Sequence, residues 1–440
     1  MVFLKNRLCP FGGIALAVLL IFTSQMLEGA WTTPIAISDS NSDQPSIAVD
    51  LSGNAVAVWQ GFDGDNYVIQ SSKLPYIGSW SQITTLSVSG QDAQACRVAV
   101  DSLGNAVSVW SRFDGYYSII QGAKSSLNGS WSTPVNLSES GANAEAPEIA
   151  MDYIGTVRNA VAVWHRYNES NFIVQSSQLP SGGNWSTPDN VSASGQDALI
   201  PEVVVDLYGN AVSIFSKYNG SVFSTSAVHQ LQAQNWGSSY TLSTPSQPSN
   251  GSSVAMDSVG NAVAVWSEFN GTKYVVKSSK LPYGGSWSTP QILSNSSEDA
   301  FSPSVGMSAD GTTVVAWIGF NGSNYIAQAS SSSFLGSWST PDNLSSSGED
   351  VSNIVLKINT LGRAVVVWDQ TDGTDSSIYS ASYTPTILGG SWSSAIRASS
   401  QGEFAYFPVV GVDSVGNAVA IWLQFDGIGY VVYGSTLAFL

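Results

Sequence analysis

Two residues after a recurring aromatic, the chain sets a cation three times: Trp110-Ser-Arg112, Trp164-His-Arg166 and Phe215-Ser-Lys217. The equivalent dipeptides elsewhere are Gln-Gly, Ser-Glu, Ile-Gly, Asp-Gln and Leu-Gln, so the cations form a local group. Arginine binds carboxylate and sulfate groups in a bidentate fork. An acidic ligand is the chemistry such a group implies. His165 stands beside Arg166, and Arg97 begins a strand near the same rim. Arg97, Arg112, His165, Arg166 and Lys217 are therefore the candidate ligand-binding residues. The simpler use of these cations is ion pairing with neighbouring acids such as Glu148 or Glu202.

Other chemistries leave little trace. The two histidines, His165 and His229, lie far apart. There is no zinc-spaced cluster, phosphate-binding glycine loop, nucleophile elbow or Ser-His-Asp pattern. No catalytic residue, metal or cofactor is assigned. Asp43, Asp63, Asp92, Asp114, Asp197, Asp299, Asp350, Asp372 and Asp426 are spread along the loops on the cations' side, where they could bind a cation or a basic partner but solubility is the plain reading.

The 440 residues open with Lys5, Arg7 and an apolar run from about Phe11 to Phe22. That run is short for a bilayer span and has the layout of a secretory leader. Residues 1–30 are expected to be removed; Glu28 is an awkward neighbour for a cut after Ala30. The whole chain carries 15 basic and 32 acidic residues; without Lys5, Arg7 and Glu28 these become 13 and 31, a net charge of −18. Such a surface repels nucleic acid and anionic lipid, so neither is an expected partner, nor is membrane insertion after cleavage. Cys96 alone remains, so no intrachain disulfide is available.

The cations belong to a repeat. One tryptophan recurs at Trp31, Trp80, Trp131, Trp185, Trp236, Trp287, Trp338 and Trp392. A second series runs Trp59, Trp110, Trp164, Phe215, Trp266, Trp317, Trp368 and Trp422. Each unit of about 50 residues holds four short strand-like segments, typified by SIAVD, NAVAVW, YVIQSS and WSTPQILS. Asp-x-x-Gly-Asn, Phe-Asp/Asn-Gly and Leu-Pro-Tyr-Gly-Gly-Ser separate them as turns. Four strands repeated eight times predict an all-β, eight-bladed β-propeller over residues 31–440. The orphan strand at Trp31–Ser38 is expected to complete the last blade and close the ring. A transmembrane β-barrel, the alternative use of many short strands, has no need of a four-strand tryptophan rhythm. The tryptophans read as packing between blades rather than sugar platforms. Asp50, Asp101, Asp152, Asp206, Asp257 and Asp413 read as acceptors for their own turns.

Pro45–Trp59 (PSIAVDLSGNAVAVW) resembles the first half of an NHL-type repeat. Lys280–Trp287 (KLPYGGSW) resembles the Asp-box turn of the sialidase-like propellers: Gly284 and Trp287 match, Ser286 stands for threonine, and Pro282 takes the place of the aspartate. The resemblance implies a propeller and says little of activity. A sialidase would need an arginine triad. Its Arg-Ile-Pro motif is approached only by Cys96–Val100 (CRVAV), with Ala99 where proline belongs. The sequence therefore points to a monomeric, secreted or envelope-located binding module that takes a glycan or protein on its variable top-face loops. A sialidase-like glycoside hydrolase and a structural envelope protein are the alternatives.

Overall fold

In the computed structural model, residues 29–439 are described except 153–157, 233, 347, 372 and 387–388. The leader expected over residues 1–30 and the Gly155 turn thus fall largely outside the described residues. Eight separate antiparallel sheets succeed one another along the chain. Seven are blades 1–7, spanning residues 43–85, 93–136, 144–190, 198–241, 249–292, 300–343 and 350–397. Blade 8 joins residues 405–437 to the strand Ile35–Ala36, which pairs with Gly434 and Tyr433. The orphan strand closes the ring, and Thr32 reinforces it with a hydrogen bond from its backbone N–H to the Thr436 carbonyl (2.9 Å). The chain is an eight-bladed β-propeller, not a continuous barrel.

The second strands, such as Ala55–Phe62 and Thr313–Phe320, are apolar and buried along nearly their whole length. Both their faces are covered, one by each neighbouring blade. Trp110 packs on Val56, Val58 and Ile69 of the preceding blade. Trp164 packs likewise on Val109 and Ile120. Each such ring removes ~150–250 Å² from water, about 4–6 kcal/mol of transfer free energy. The tryptophans are packing elements, as their fixed spacing implies.

At the bottom of the ring, Asp50 Oδ1 accepts from the Ser52 and Asn54 N–H groups, and its Oδ2 accepts from Asn54 Nδ2 (2.7 Å). Asp101, Asp206, Asp257 and Asp413 repeat the pattern. Gly53 turns there with φ 88°, a conformation open to glycine. At the top, the first strands carry a bulge whose residue is left-handed in blade after blade: Gln44, Ala95, Ala146, Ile200, Ser302 and Phe407, with φ of 49–55°. Blade 7 differs. Its Asn353 N–H and Ser352 hydroxyl are taken by the buried Asp369 carboxylate.

Candidate functional site

Alternation along a strand sends successive side chains to opposite faces, and this sorts the five candidate residues into three environments. Arg97 lies opposite Val109, on the face turned to blade 3. It enters the central channel, where its Nε donates to Glu148 Oε1 (2.6 Å) and Nη1 to the Cys96 carbonyl (3.0 Å). The nearby Glu148 charge raises the guanidinium's pKa. These groups line a 780 Å³ cavity at the channel mouth with the prolines that follow the bulges. Arg97 is thus committed to an ion pair. Glu202, the next acid around the channel, accepts from the Val254 N–H (3.3 Å), and burial raises its pKa to about 7.

His165 turns toward blade 4. Its Nδ1 accepts a long hydrogen bond from the Ile200 N–H (3.5 Å), and its ring meets the Phe172 ring edge-on at 5.4 Å. Burial pushes its pKa down to about 4, so the imidazole is neutral at neutral pH. Cys96 is wholly buried behind Arg97, its Sγ facing the Gln44 carbonyl.

Arg112, Arg166 and Lys217 share a third environment. Each is two residues past its aromatic and so points the same way, into the cleft against the preceding blade. The residue opposite each is a buried alanine: Ala93, Ala144 and Ala198. The three cations therefore line three successive clefts, between blades 1 and 2, 2 and 3, and 3 and 4. Among the described residues, none of the three is in an ion pair or donates a side-chain hydrogen bond to the protein. Arg97, Arg112 and Arg166 point into three different spaces and do not converge.

The other blades show what these cations displace. In blades 1 and 6 the equivalent residue is glycine, and a third-strand glutamine reaches over it to accept from the tryptophan: Trp59 Nε1 to Gln70 (2.9 Å) and Trp317 Nε1 to Gln328 (3.0 Å). A Cβ at Gly61 or Gly319 would lie only 2.2 or 2.0 Å from that glutamine Oε1. In blades 5, 7 and 8, Glu268, Gln370 and Gln424 accept from the tryptophan themselves. Blades 2 and 3 have neither arrangement. Arg112 carries the Cβ that Gly61 and Gly319 lack, and Trp110 Nε1, Arg112 Nε and Gln121 Oε1 are all buried without a protein partner. Trp164, Arg166 and Gln175 repeat the same triplet. Where lysine stands, the aromatic is Phe215, which has no N–H to strand.

The second hairpin of six blades adds a cross-strand aromatic pair with centroids 5.3–5.7 Å apart, from Phe62–Tyr67 to Phe425–Tyr430. Two of these pairs flank the cations, Tyr167–Phe172 beside Arg166 and Tyr218–Phe223 beside Lys217. Blade 2 instead presents Phe113 and Tyr116, the latter 85% exposed. Tyr218 and Phe223 also wall a 640 Å³ groove with Ile200, Pro248 and Asn250. These half-exposed rings were hidden in the sequence inside a motif legible as turn chemistry. A spacing of five residues between the aromatics is their signal.

Several top-face aspartates prove to be turn acceptors. Asp92, Asp197, Asp299 and Asp350 each take the N–H that opens the preceding blade's third strand. Asp63 and Asp114 take N–H groups of their own hairpins, led by Asn66 and Tyr117, which lowers their pKa values. No three histidine, cysteine or acidic side chains come together as a metal site among the described residues.

No family model matches the sequence, and no curated protein matches it. Solved structures of similar shape do exist. An ulvan lyase from a new polysaccharide-lyase family aligns with a TM-score of 0.51 at 9% identity, over 77% of this chain and 93% of that one. The α-L-arabinanase of Penicillium chrysogenum gives 0.43 at 13% identity, over 93% and 98%. A sialidase of Streptococcus pneumoniae gives 0.38 at 10%, over 92% and 70%. At these identities the likeness is one of fold. It extends to sialidase and arabinanase propellers and does not single out the NHL type.

Proposed function

We propose that this propeller is a secreted or cell-surface binding module whose top face takes an acidic glycan across blades 2–4. Arg112, Arg166 and Lys217 hold its carboxylate or sulfate groups, one cleft at a time, and the flanking aromatic pairs stack on sugar rings. The observation that carries this reading is the cost of the arginines. A buried, unpartnered donor or acceptor costs about 1–3 kcal/mol, and the chain bears three such atoms in each of two adjacent blades. The remaining tryptophan-bearing blades show two ways of sparing the tryptophan. Sequence choices that break a local rule without local gain mark functional positions. On a protein of net charge −17, cations outside ion pairs, Arg112 with only the Asp114 charge near it, are available to a ligand.

The test is capture from a panel of neutral, carboxylated and sulfated polysaccharides by the purified protein and by Arg112→Ala/Arg166→Ala. Selective capture of acidic members that falls at least about tenfold in the variant supports the reading, since a charge-assisted hydrogen bond contributes about 1.5–3 kcal/mol. A folded protein that ignores the whole panel refutes it and leaves a protein ligand.

A further inference from the structure

The bottom turns are tied into one surface. The asparagine that ends the Asp-x-x-Gly-Asn turn accepts from the turn between third and fourth strands: Asn54 Oδ1 from the Tyr76 N–H (3.0 Å) and Asn261 Oδ1 from the Tyr283 N–H (2.9 Å). Asn210 and Asn417 do the same for the N–H groups of Gln232 and Phe439. Neighbouring blades are joined as well. Lys73 of blade 1 is a staple to the turn of blade 2, its ammonium donating to the Ser126, Leu127 and Gly129 carbonyls at 2.9–3.3 Å. Lys280 of blade 5 repeats this on the Ser333, Phe334 and Gly336 carbonyls of blade 6. The Ser414 hydroxyl reaches from blade 8 to the Leu51 carbonyl of blade 1 (2.7 Å). Residues of all eight blades line a 540 Å³ opening at the centre, among them Leu51, Met151, Leu207, Met256, Met307 and Ile358.

What this surface exposes is apolar. Its turn tips carry Ile77 at 88% exposure and Leu335 at 93%, and Tyr76, Leu103, Tyr283 and Leu361 are each more than half exposed. Asp50, Asp101, Asp206, Asp257 and Asp413 are at most 4% exposed, and their oxygens accept from their own turns. No turn between third and fourth strands contains an aspartate or glutamate. Among the described residues of the bottom turns, Asp310 is the one exposed acid. The loops at the other end expose Asp39, Asp63, Asp65, Glu139, Glu169 and Asp426. The chain also enters at the bottom. Leu437 pairs with Ala418, beside the Asp413–Asn417 turn, and Trp31 pairs with Leu437. The Gly29 N–H donates to the Ala438 carbonyl (3.4 Å). The segment that precedes Gly29, with the apolar run from Phe11 to Phe22 in its sequence, therefore joins the ring at this face.

We infer that the bottom face is a docking surface for a neutral lipid bilayer, on which the ring lies flat with its turn tips in the headgroup layer. Three observations favour a lipid surface over a protein partner. The apolar tips are spread round the ring, which suits a flat partner. The tyrosines among them combine an apolar body with a polar tip, as side chains at a membrane–water interface do. An apolar segment of the chain enters at the same face. The net charge of −17 disfavours anionic lipid, so the bilayer is one of zwitterionic headgroups. In this orientation Arg112 and Arg166 lie at the end turned away from the bilayer. The inference stands independently of the glycan reading.

The test is co-sedimentation of the purified protein with phosphatidylcholine vesicles. Saturable binding is expected, falling at least about tenfold in Ile77→Ser/Leu335→Ser, because both side chains leave water on docking. Val88→Ser/Ile428→Ser removes exposed apolar side chains from the opposite face and should bind as the wild type does. All four side chains project into solvent, so both variants keep the fold. Absence of binding by the wild-type protein, or equal loss in the two variants, overturns the inference. So does binding undiminished in Ile77→Ser/Leu335→Ser, which would show that the segment before Gly29 holds the vesicles by itself. A stable dimer in light scattering that the same variant dissociates, with no vesicle binding, would overturn it in favour of a second copy of the chain.

Discussion

Replacing Arg112 and Arg166 by glutamine should stabilise the protein while weakening the acidic-ligand binding proposed for it. Glutamine is the residue blades 7 and 8 use at this position, where Gln370 and Gln424 accept from the tryptophan at 2.8 and 3.2 Å. In blade 2 the new Oε1 would accept from Trp110 Nε1, and its amide would be placed to donate to Gln121 Oε1. Each substitution removes the orphaned Arg Nε and gives partners to two further buried atoms. At about 1–3 kcal/mol per unsatisfied group, less the lost packing of the arginine stem, the net gain is about 1–3 kcal/mol per site. An unfolding entropy of ~2.1 cal/mol/K per residue over roughly 400 residues converts about 2–6 kcal/mol into a rise of about 2–7 °C. Scanning calorimetry of the double variant measures this. Binding to acidic polysaccharide should fall by at least about tenfold in the same preparation. A lowered transition temperature would refute the reasoning, because it would show that the arginines stabilise the clefts they occupy.

Two further outcomes follow from the same geometry. Gly61→Ala places a methyl group where Gln70 Oε1 now sits; it should strand Trp59 Nε1 and destabilise by about 1–3 kcal/mol, read as a lower urea midpoint. His165 has its folded-state pKa depressed to about 4 from an ordinary 6.5. Its stabilising contribution is complete above pH 6.5 and is lost as pH falls toward 4, about 3 kcal/mol in all. His165→Gln should therefore flatten stability against pH over that window, with the wild-type protein as reference; an unchanged slope would show that other groups set the acid response.

The ring was legible because its constraints repeat. The Asp50 and Asp413 turns, the Trp59-to-Trp422 series and the closing strand each leave a residue type at fixed spacing, since every blade fills the same sector. What the repeat could not convey is direction. Arg97 and Arg112 read as neighbours on one rim, yet alternation sends one to Glu148 in the channel and the other into a cleft. The orphaned Trp110 and Trp164 N–H groups escaped notice for a different reason. Their condition depends on Gln121 and Gln175, one strand away, and on what Gly61 permits in another blade. The Phe62–Tyr67 pair was masked by the turn between its members, and the Lys73 staple by its partners being carbonyls, which any sequence can supply.

The joining of Ile35–Ala36 to Tyr430–Leu437 also sets an order of events in time. Thr32 and Ser435 meet although they stand 403 positions apart in the chain, so the first strand emerges from the ribosome long before its partner exists. Blades 1 to 7 can form one after another during synthesis, but the ring shuts only when nearly the whole chain has been made. The entropic cost of so long a closure grows only as the logarithm of its length; the waiting time does not shrink in the same way. Until then blade 8 lacks its outer strand and blade 1 lacks a neighbour. A nascent or truncated chain displays both bare faces together, whereas a finished one displays neither.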